Sequence, residues 1–393
     1  MRSDFDANQR KLYANFAALG EAIGARASEH DAAASLDWTN WRRITEAGLW
    51  RLPVPRELGG YGRTWSDCAA AIEGVASTAN DLGFMITMLG HLGSIRVLLD
   101  EGTPDQLLRW LEPLMRGEIG VTAMTESGGG SDLARMCLAA EQSSDGEWTL
   151  SGQKVHITNA PVASHGLIAG RTSALPKKRD ITLFFVDLPA AGLSLGPSEE
   201  NLGIRTSPTA DMFFDRVKID QGNIIGTAGD GLRILYRVIA FERALYGVIA
   251  SGLIDGMIGQ AMDRIEERHA FGKPLADYQY VQGRITDMKM ASITCRLLCY
   301  AGIKEIDAND PDASIICSTT KFLAGERLLE AAEHLVQLHG HLGFMNNGIS
   351  RLLRDAVGMR IAGGTSDIQR VNIFNQMRAR RRVQPSAMGL AAE

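Results

Sequence analysis

Glu242 is the side chain whose setting most suggests chemistry. It falls within an apolar stripe at helical spacing formed by Leu235, Ile239, Leu245 and Ile249. A carboxylate on an inward-packing helix face must be paired, hydrogen-bonded or shifted in pKa. It serves either as half of a structural ion pair, with Arg243 or another arginine, or as a general base that desolvation raises towards neutral pH. The pattern of residues leaves both readings open.

Three other constellations call for weighing. Thr125-Glu-Ser-Gly-Gly-Gly-Ser-Asp follows a strand-like run, as a phosphate loop would. The dinucleotide fingerprint needs a glycine three residues after Gly130, where Leu133 stands, and no Lys-Ser/Thr follows, so both nucleotide-loop patterns fail. The segment reads as a plain turn, although its bare backbone lets a flat cofactor approach closely. Gly192-Leu-Ser194-Leu-Gly196 has the spacing of a serine-hydrolase elbow, but that elbow joins a strand to a helix, whereas Pro197 follows inside a β-rich region. An ordinary strand is expected there. His334, His339 and His341 are five and two residues apart rather than the four of a helical zinc pair, and no metal site is expected.

The elements that must position these residues fall into three textures over 393 residues. Helical periods run from about residue 6 to 116, as in Asp105-Gln-Leu-Leu-Arg-Trp-Leu. Short β-rich runs follow, such as Lys154-Val-His-Ile-Thr and Ile181-Thr-Leu-Phe-Phe-Val, separated by turn residues and by no helix. Long helices return after Gly231, one of them from about Leu232 to His269. The expected class is α+β multidomain: an N-terminal helical domain (1–117), a central antiparallel β domain, barrel or sandwich (118–226), and a C-terminal helical bundle (227–393).

Hydrophobic residues at 45% and charged residues at 22% match a soluble globular chain with ample core material. A net charge of -5 gives no electrostatic reason to expect nucleic acid. The N-terminus, Met1-Arg-Ser-Asp-Phe-Asp, carries no apolar signal segment, and the longest apolar stretch, residues 247–254, stops at Asp255; no membrane association is expected. Cys68, Cys137, Cys295, Cys299 and Cys317 form an odd set without a C-x-x-C pair, which points to a reducing, cytoplasmic compartment.

Four segments taken together resemble the acyl-CoA dehydrogenase family of flavoproteins. They are Ala123-Met-Thr-Glu-Ser-Gly-Gly-Gly-Ser-Asp, Gly152-Gln-Lys-Val-His-Ile-Thr-Asn, Arg268-His-Ala-Phe-Gly-Lys-Pro with Gln279, and Arg354-Asp-Ala through Gly364-Thr-Ser-Asp-Ile-Gln. Their order and spacing span nearly the whole chain. The resemblance implies FAD, with the flavin ring between the β domain and the C-terminal helices. Thr125 and Thr158 match residues that hydrogen-bond the ring, and Ser131 matches a position near the pyrophosphate. Arg268 and Phe271 match residues that reach the FAD of a neighbouring subunit, Arg268 through a charge-assisted contact to phosphate. Gln279 and Gln337 match further contacts across that interface, and Thr365 one near the adenosine-phosphate part. A homodimer is then the smallest unit, and the family is often tetrameric.

The chemistry implied is α,β-dehydrogenation of an acyl thioester of coenzyme A or of a carrier protein. A carboxylate removes the α proton while hydride leaves the β carbon for flavin N5. Donors must polarise the thioester carbonyl; the resemblance assigns this to a ribityl hydroxyl and to the backbone N–H at Gly363. Most members carry the catalytic glutamate immediately before the Gly-Thr of the last motif, where this chain reads Ile361-Ala-Gly363-Gly364-Thr365. Isovaleryl-CoA and long-chain acyl-CoA dehydrogenases instead place the base on a long helix, in a Glu-Arg context like Glu242-Arg243. The stripe and the resemblance thus select Glu242 by separate routes. His156 stands where the family usually has a tryptophan against the flavin, which bears on reoxidation by an electron-transferring flavoprotein, and His341 replaces a glycine. The rival readings are a flavin oxidase or monooxygenase on the same scaffold, and a non-catalytic member.

Overall fold

The computed structural model describes residues 5–177 and 179–383. Residues 1–4, on which the reading of the N-terminus partly falls, lie outside the described residues. The chain begins with helices α1 (Ala7–Ala33), α2 (Trp38–Glu46), α3 (Trp65–Ala79), α4 (Leu82–Glu101) and the short α5 (Pro104–Gln106) and α6 (Glu112–Met115). Strands β1 (Gly120–Ala123), β2 (Ala139–Gln142), β3 (Trp148–Thr158), β4 (His165–Arg171), β5 (Ile181–Asp187), β6 (Leu193–Leu195), β7 (Thr209–Ile219) and β8 (Ile224–Ile225) follow. Helix α7 (Gly231–Glu267) then leads through the hairpin β9 (His269–Ala270) and β10 (Lys273–Pro274) to α8 (Gln279–Asp307), α9 (Ala313–His339), α10 (His341–Phe344), α11 (Gly348–Met359) and α12 (Ser366–Val383). The expected order of helical, β and helical regions is the one observed.

The first eight strands form one sheet, seven of them in the order β6-β7-β3-β2-β4-β5-β8 and β1 off this path, paired with β4. Its pairings are antiparallel except that β1 and β2 both run parallel to β4, β1 along His165 to Ile168 and β2 at Arg171. Strands β4 and β5 are buried on both faces, which explains their unbroken apolar reading. Leu167, Ala169, Leu183 and Phe185 turn into the core shared with the helices, while Ile168, Phe184 and Val186 turn into a second core closed by Trp148, Leu150, Met212 and Phe214. The pleat thus welds the β region to the helices.

Helix α4 lies at the centre of the helical core. It is 20 residues long with a mean hydropathy of 1.6, long and apolar enough to cross a membrane, but 89% of its apolar window is buried inside the fold. It is a core helix, and a longer apolar segment than residues 247–254, which the sequence pattern singles out. Asp81 caps it, accepting from Phe84 N at 3.0 Å and from Thr206 Oγ1 at 2.5 Å. Buried His91 accepts from Gly120 N at 3.2 Å and so fixes the start of β1; burial holds the imidazole neutral, pushing its pKa down to about 3.

The N-terminal and C-terminal helices are locked by a buried charge. Glu73 on α3 accepts from Arg296 Nε (3.1 Å) and Tyr300 Oη (3.2 Å) on α8 and from Ser251 Oγ (3.4 Å) on α7. Arg296→Ala should lower the free energy of unfolding by about 3–5 kcal/mol, because it strands a buried carboxylate. Arg233→Ala, which removes a bridge to Glu101 from a half-exposed guanidinium, should cost less than about 1 kcal/mol. Equilibrium denaturation of the two variants checks the contrast.

Candidate active site

Helix α7 carries Glu242 to the point where α7 crosses α4. The crossing is made close by Gly93: a Cβ there would lie 2.5 Å from Glu242 Oε1 and 3.6 Å from Val238 Cγ1. The carboxyl therefore rests on bare backbone. It makes no hydrogen bond and no ion pair among the described residues, and it keeps some accessible surface. Burial pushes its pKa up to about 8, with Arg243 opposing the shift. Arg243 does not pair with it. The guanidinium turns instead to the Gly363 carbonyl (3.4 Å) and to Ser318 Oγ (3.4 Å).

The turn between α11 and α12 packs on the same stretch of α7, against Arg243 and Tyr246. Gly363 and Gly364 have φ of +69° and +97°, conformations that favour glycine. Gln369 Nε2 donates to both their carbonyls, at 3.2 and 2.9 Å. The N–H of Gly363 donates to nothing among the described residues. A Cβ at Gly363 would meet Tyr246 Cε2 at 2.8 Å and its hydroxyl at 3.0 Å. Both the backbone conformation and Tyr246 thus exclude a side chain where most of the resembling family carries its glutamate. Beneath lies Lys321 on α9, fully buried, donating to the Arg360 carbonyl at 3.2 Å; burial first, then Arg243, pushes its pKa down to about 7.

The β region supplies a polar edge beside this pair. A register shift in β3 between Lys154 and Ile157 puts His156 at φ +56°, and the adjacent Val155 N–H donates to the Thr125 carbonyl at 2.9 Å. The bulge thus ties the end of β3 to the segment after β1. Buried Lys154 and Glu126 fasten the glycine loop: Nζ donates to Glu126 Oε1 (2.7 Å), and the same carboxylate accepts from Leu138 N (2.9 Å) and Cys137 N (2.5 Å). The hydroxyls of Thr125, Ser131 and Thr158 have no partner among the described residues, and Gly128 and Gly130 meet nothing within 4 Å. Asn159 Nδ2, next to Thr158, donates to the Thr87 carbonyl on α4 at 3.1 Å and lies 3.3 Å from a Cβ built at Gly90. Gly90 and Gly93 are under one turn apart, about 4.5 Å along α4. One helix therefore brings the Thr158 edge and Glu242 together. Free hydroxyls, an open glycine loop and a nearby carboxyl fit a flavin lying across this edge.

Other expected positions lie elsewhere. Arg268, Phe271 and Gln279 sit at and beyond the far end of α7, Phe271 97% exposed. Arg268 is 26 residues from Glu242, about 39 Å along the helix, so one chain does not bring them to one place. Gln337 is exposed near the end of α9. Thr365 accepts from Ile368 N at 3.3 Å beside the Gly363 turn. His156 is exposed and bonded to Glu199 Oε1 at 2.7 Å, and its N–H donates to Asp211 Oδ1 at 3.0 Å. Its ligand atom and those of Glu199 and Asp211 lie within 4.8 Å of one another, a grouping the sequence spacing conceals. Ser194 lies in strand β6, and His334 accepts from Arg284 at 2.9 Å. The cleft of about 810 Å³ between α1 and the loop around Tyr61 contains none of the candidate residues. Gly93, Tyr246 and Lys321 are missed by the sequence reading; only Tyr246, four residues after Glu242, had a signal there.

The chain matches "Acyl-CoA dehydrogenase, N-terminal domain" over residues 7–118, "middle domain" over 121–217 and "C-terminal domain" over 229–377. The chain belongs to the acyl-CoA dehydrogenase family. It is 30% identical over 339 residues to the 2-methylacyl-CoA dehydrogenase, mitochondrial, of Solanum tuberosum, covering 86% of this chain and 82% of that one. A solved structure described as PigA with FAD and proline superposes with a TM-score of 0.90 at 25% identity, covering 97% and 100% of the two chains. The prolyl acyl carrier protein oxidase AnaB shares the fold, with a TM-score of 0.90 at 23% identity over 95% and 99%.

The contact at Gly93 gives a test of the site. In Gly93→Ala the new methyl displaces a flexible carboxyl rather than backbone, so the fold should persist with a similar melting temperature. Flavin reduction by a thioester substrate, followed by absorbance, should slow by about a hundredfold, the usual effect of misplacing a reacting group by an ångström.

Proposed function

We propose that this chain is an FAD-dependent dehydrogenase that forms a double bond between the α and β carbons of an acyl thioester, with Glu242 as the base. The observation that carries this reading is an unpaired, half-buried carboxyl set on Gly93, on a helix whose next residues, Arg243 and Tyr246, meet a glycine turn with a free N–H. Glu242 takes the α proton; its raised pKa makes it a competent base near neutral pH. The Gly363 N–H, which has no acceptor among the described residues, would donate to the thioester carbonyl oxygen, which gains charge as that proton leaves. FAD, when bound, would supply the two-electron acceptor for the hydride that leaves the β carbon. Thr125 and Thr158 would hold the flavin ring and Ser131 the pyrophosphate, with Thr365 near the adenosine phosphate.

The remaining cofactor contacts require a second subunit. Arg268, Phe271, Gln279 and Gln337 are exposed and distant from Glu242 in their own chain, so they serve a neighbour's site in a homodimer or homotetramer. Exposed apolar side chains support this assembly: Tyr280, Met290, Ile293 and Leu297 on α8, and Val371, Phe374 and Met377 on α12. The thioester is carried by coenzyme A or by a carrier protein, which share the pantetheine arm. An electron-transferring flavoprotein is the acceptor that the fold suggests, with the exposed His156–Glu199 pair in place of an aromatic side chain. Five free cysteines fit a reducing compartment such as the cytoplasm.

Glu242→Gln keeps the side-chain shape and should slow flavin reduction by about a hundredfold or more in anaerobic stopped-flow absorbance. An unchanged rate removes Glu242 from the mechanism. With wild type, kcat/KM should be low at pH 6, rise with pH through a half-maximal value near 8 and level off beyond that, because only the ionised carboxyl accepts the proton. Rapid oxygen consumption without an added acceptor would favour the oxidase reading. Sedimentation should show a dimer or tetramer, and Arg268→Ala should weaken FAD retention.

A further inference from the structure

Tyr246 lies one turn beyond Glu242 on the same face of α7, about 6 Å along the axis. It is 3% exposed, yet its hydroxyl has no hydrogen-bond partner among the described residues. Its ring occupies the space beside Gly363 that a side chain at that position would need, with Cε2 2.8 Å and the hydroxyl 3.0 Å from a built Cβ. Lys321 Nζ lies 6.0 Å from the ring centroid and is already bonded to the Arg360 carbonyl. Arg243, the other nearby cation, is turned to Gly363 and Ser318. The Glu242 carboxyl, the Tyr246 hydroxyl one turn along the same helix, and Gln369 Oε1 behind the glycine turn are the groups here without a partner among the described residues.

The small exposure that Tyr246 keeps leaves its hydroxyl within reach of a ligand, and a site built to bond a polar group on its ligand rejects the analogue that lacks it. The proposed reaction accounts for Glu242 and leaves Tyr246 unused. We propose that Tyr246 is a specificity-determining residue that bonds a hydroxyl or amine on the acyl group beyond its α carbon. The substrates are then short, polar-substituted acyl thioesters in preference to plain alkyl ones. This rests on Glu242 addressing the α carbon. Burial, and then the neighbouring carboxyl, push the phenol pKa well up, so the hydroxyl stays protonated and able to donate. The same ring fills the side of the turn where the backbone of Gly363 is bare, which limits the room for an acyl chain there.

The test separates binding from chemistry. Affinities of FAD-loaded Glu242→Gln protein for valeryl-pantetheine and 4-hydroxyvaleryl-pantetheine are measured by calorimetry, and again with Tyr246→Phe added. The hydroxylated thioester should bind at least about tenfold more tightly, and Tyr246→Phe, which keeps the ring and hence the fold, should erase that preference. Tyr246→Leu should open the pocket and improve the affinity of octanoyl-pantetheine. Equal affinities for the matched pair, failure of both to bind, or a preference that survives Tyr246→Phe overturns the proposal. The base assignment is read separately, from flavin reduction in protein with Tyr246 intact, so either idea can fail alone.

Discussion

The site depends on one close contact between two helices. At Gly93 helix α4 offers bare backbone to α7, and the Glu242 carboxyl fills the space a methyl group would take. Largely withdrawn from water and given no partner, the carboxyl holds its proton more tightly than in water, its pKa pushed up to about 8. A paired carboxylate in the same place would be ionised but a weaker base. Arg243 could have supplied that pair as the next residue on the helix, but its guanidinium is engaged by the Gly363 carbonyl. The same bond helps to fix the glycine turn against α7, so one arginine both leaves the carboxyl unpaired and holds that turn in place.

Helix α4 is also the element that registers the β region against the helical bundle. Through Asn159 it meets the end of β3, through His91 the start of β1, and through Gly93 the carboxyl on α7. These contacts occupy residues 87–93, under two turns. Stability and function converge there: the helix must be apolar to fill the core, and it must carry glycine where polar groups approach. That combination gives it the length and hydropathy of a membrane span without the exposure of one.

The class and order of regions were legible in the sequence because hydrophobic period and turn residues are local signals. Glu242 was legible as an anomaly, a charge in an apolar stripe, although the stripe could not say whether an arginine neutralised it. The four motifs supplied the cofactor, and the absence of a carboxylate at Gly363 pointed back to α7. Hidden from the sequence was everything that depends on contact between distant segments. Gly93 is one glycine among many until α7 crosses it. Tyr246 reads as another stripe residue until its ring is found against Gly363. His156, Glu199 and Asp211 are brought together only by the pairing of β3 with β7 and by the loop before β7.

The most direct measurement of the central claim is α-proton exchange, because it reports on the base without requiring net turnover. A saturated thioester that the protein accepts is incubated in D2O with anaerobic, flavin-loaded protein, and loss of its α-proton signal is followed by NMR. Wild type should exchange the α proton, and Glu242→Gln, still folded and still binding the thioester, should not. Exchange persisting at the wild-type rate in Glu242→Gln would contradict the account.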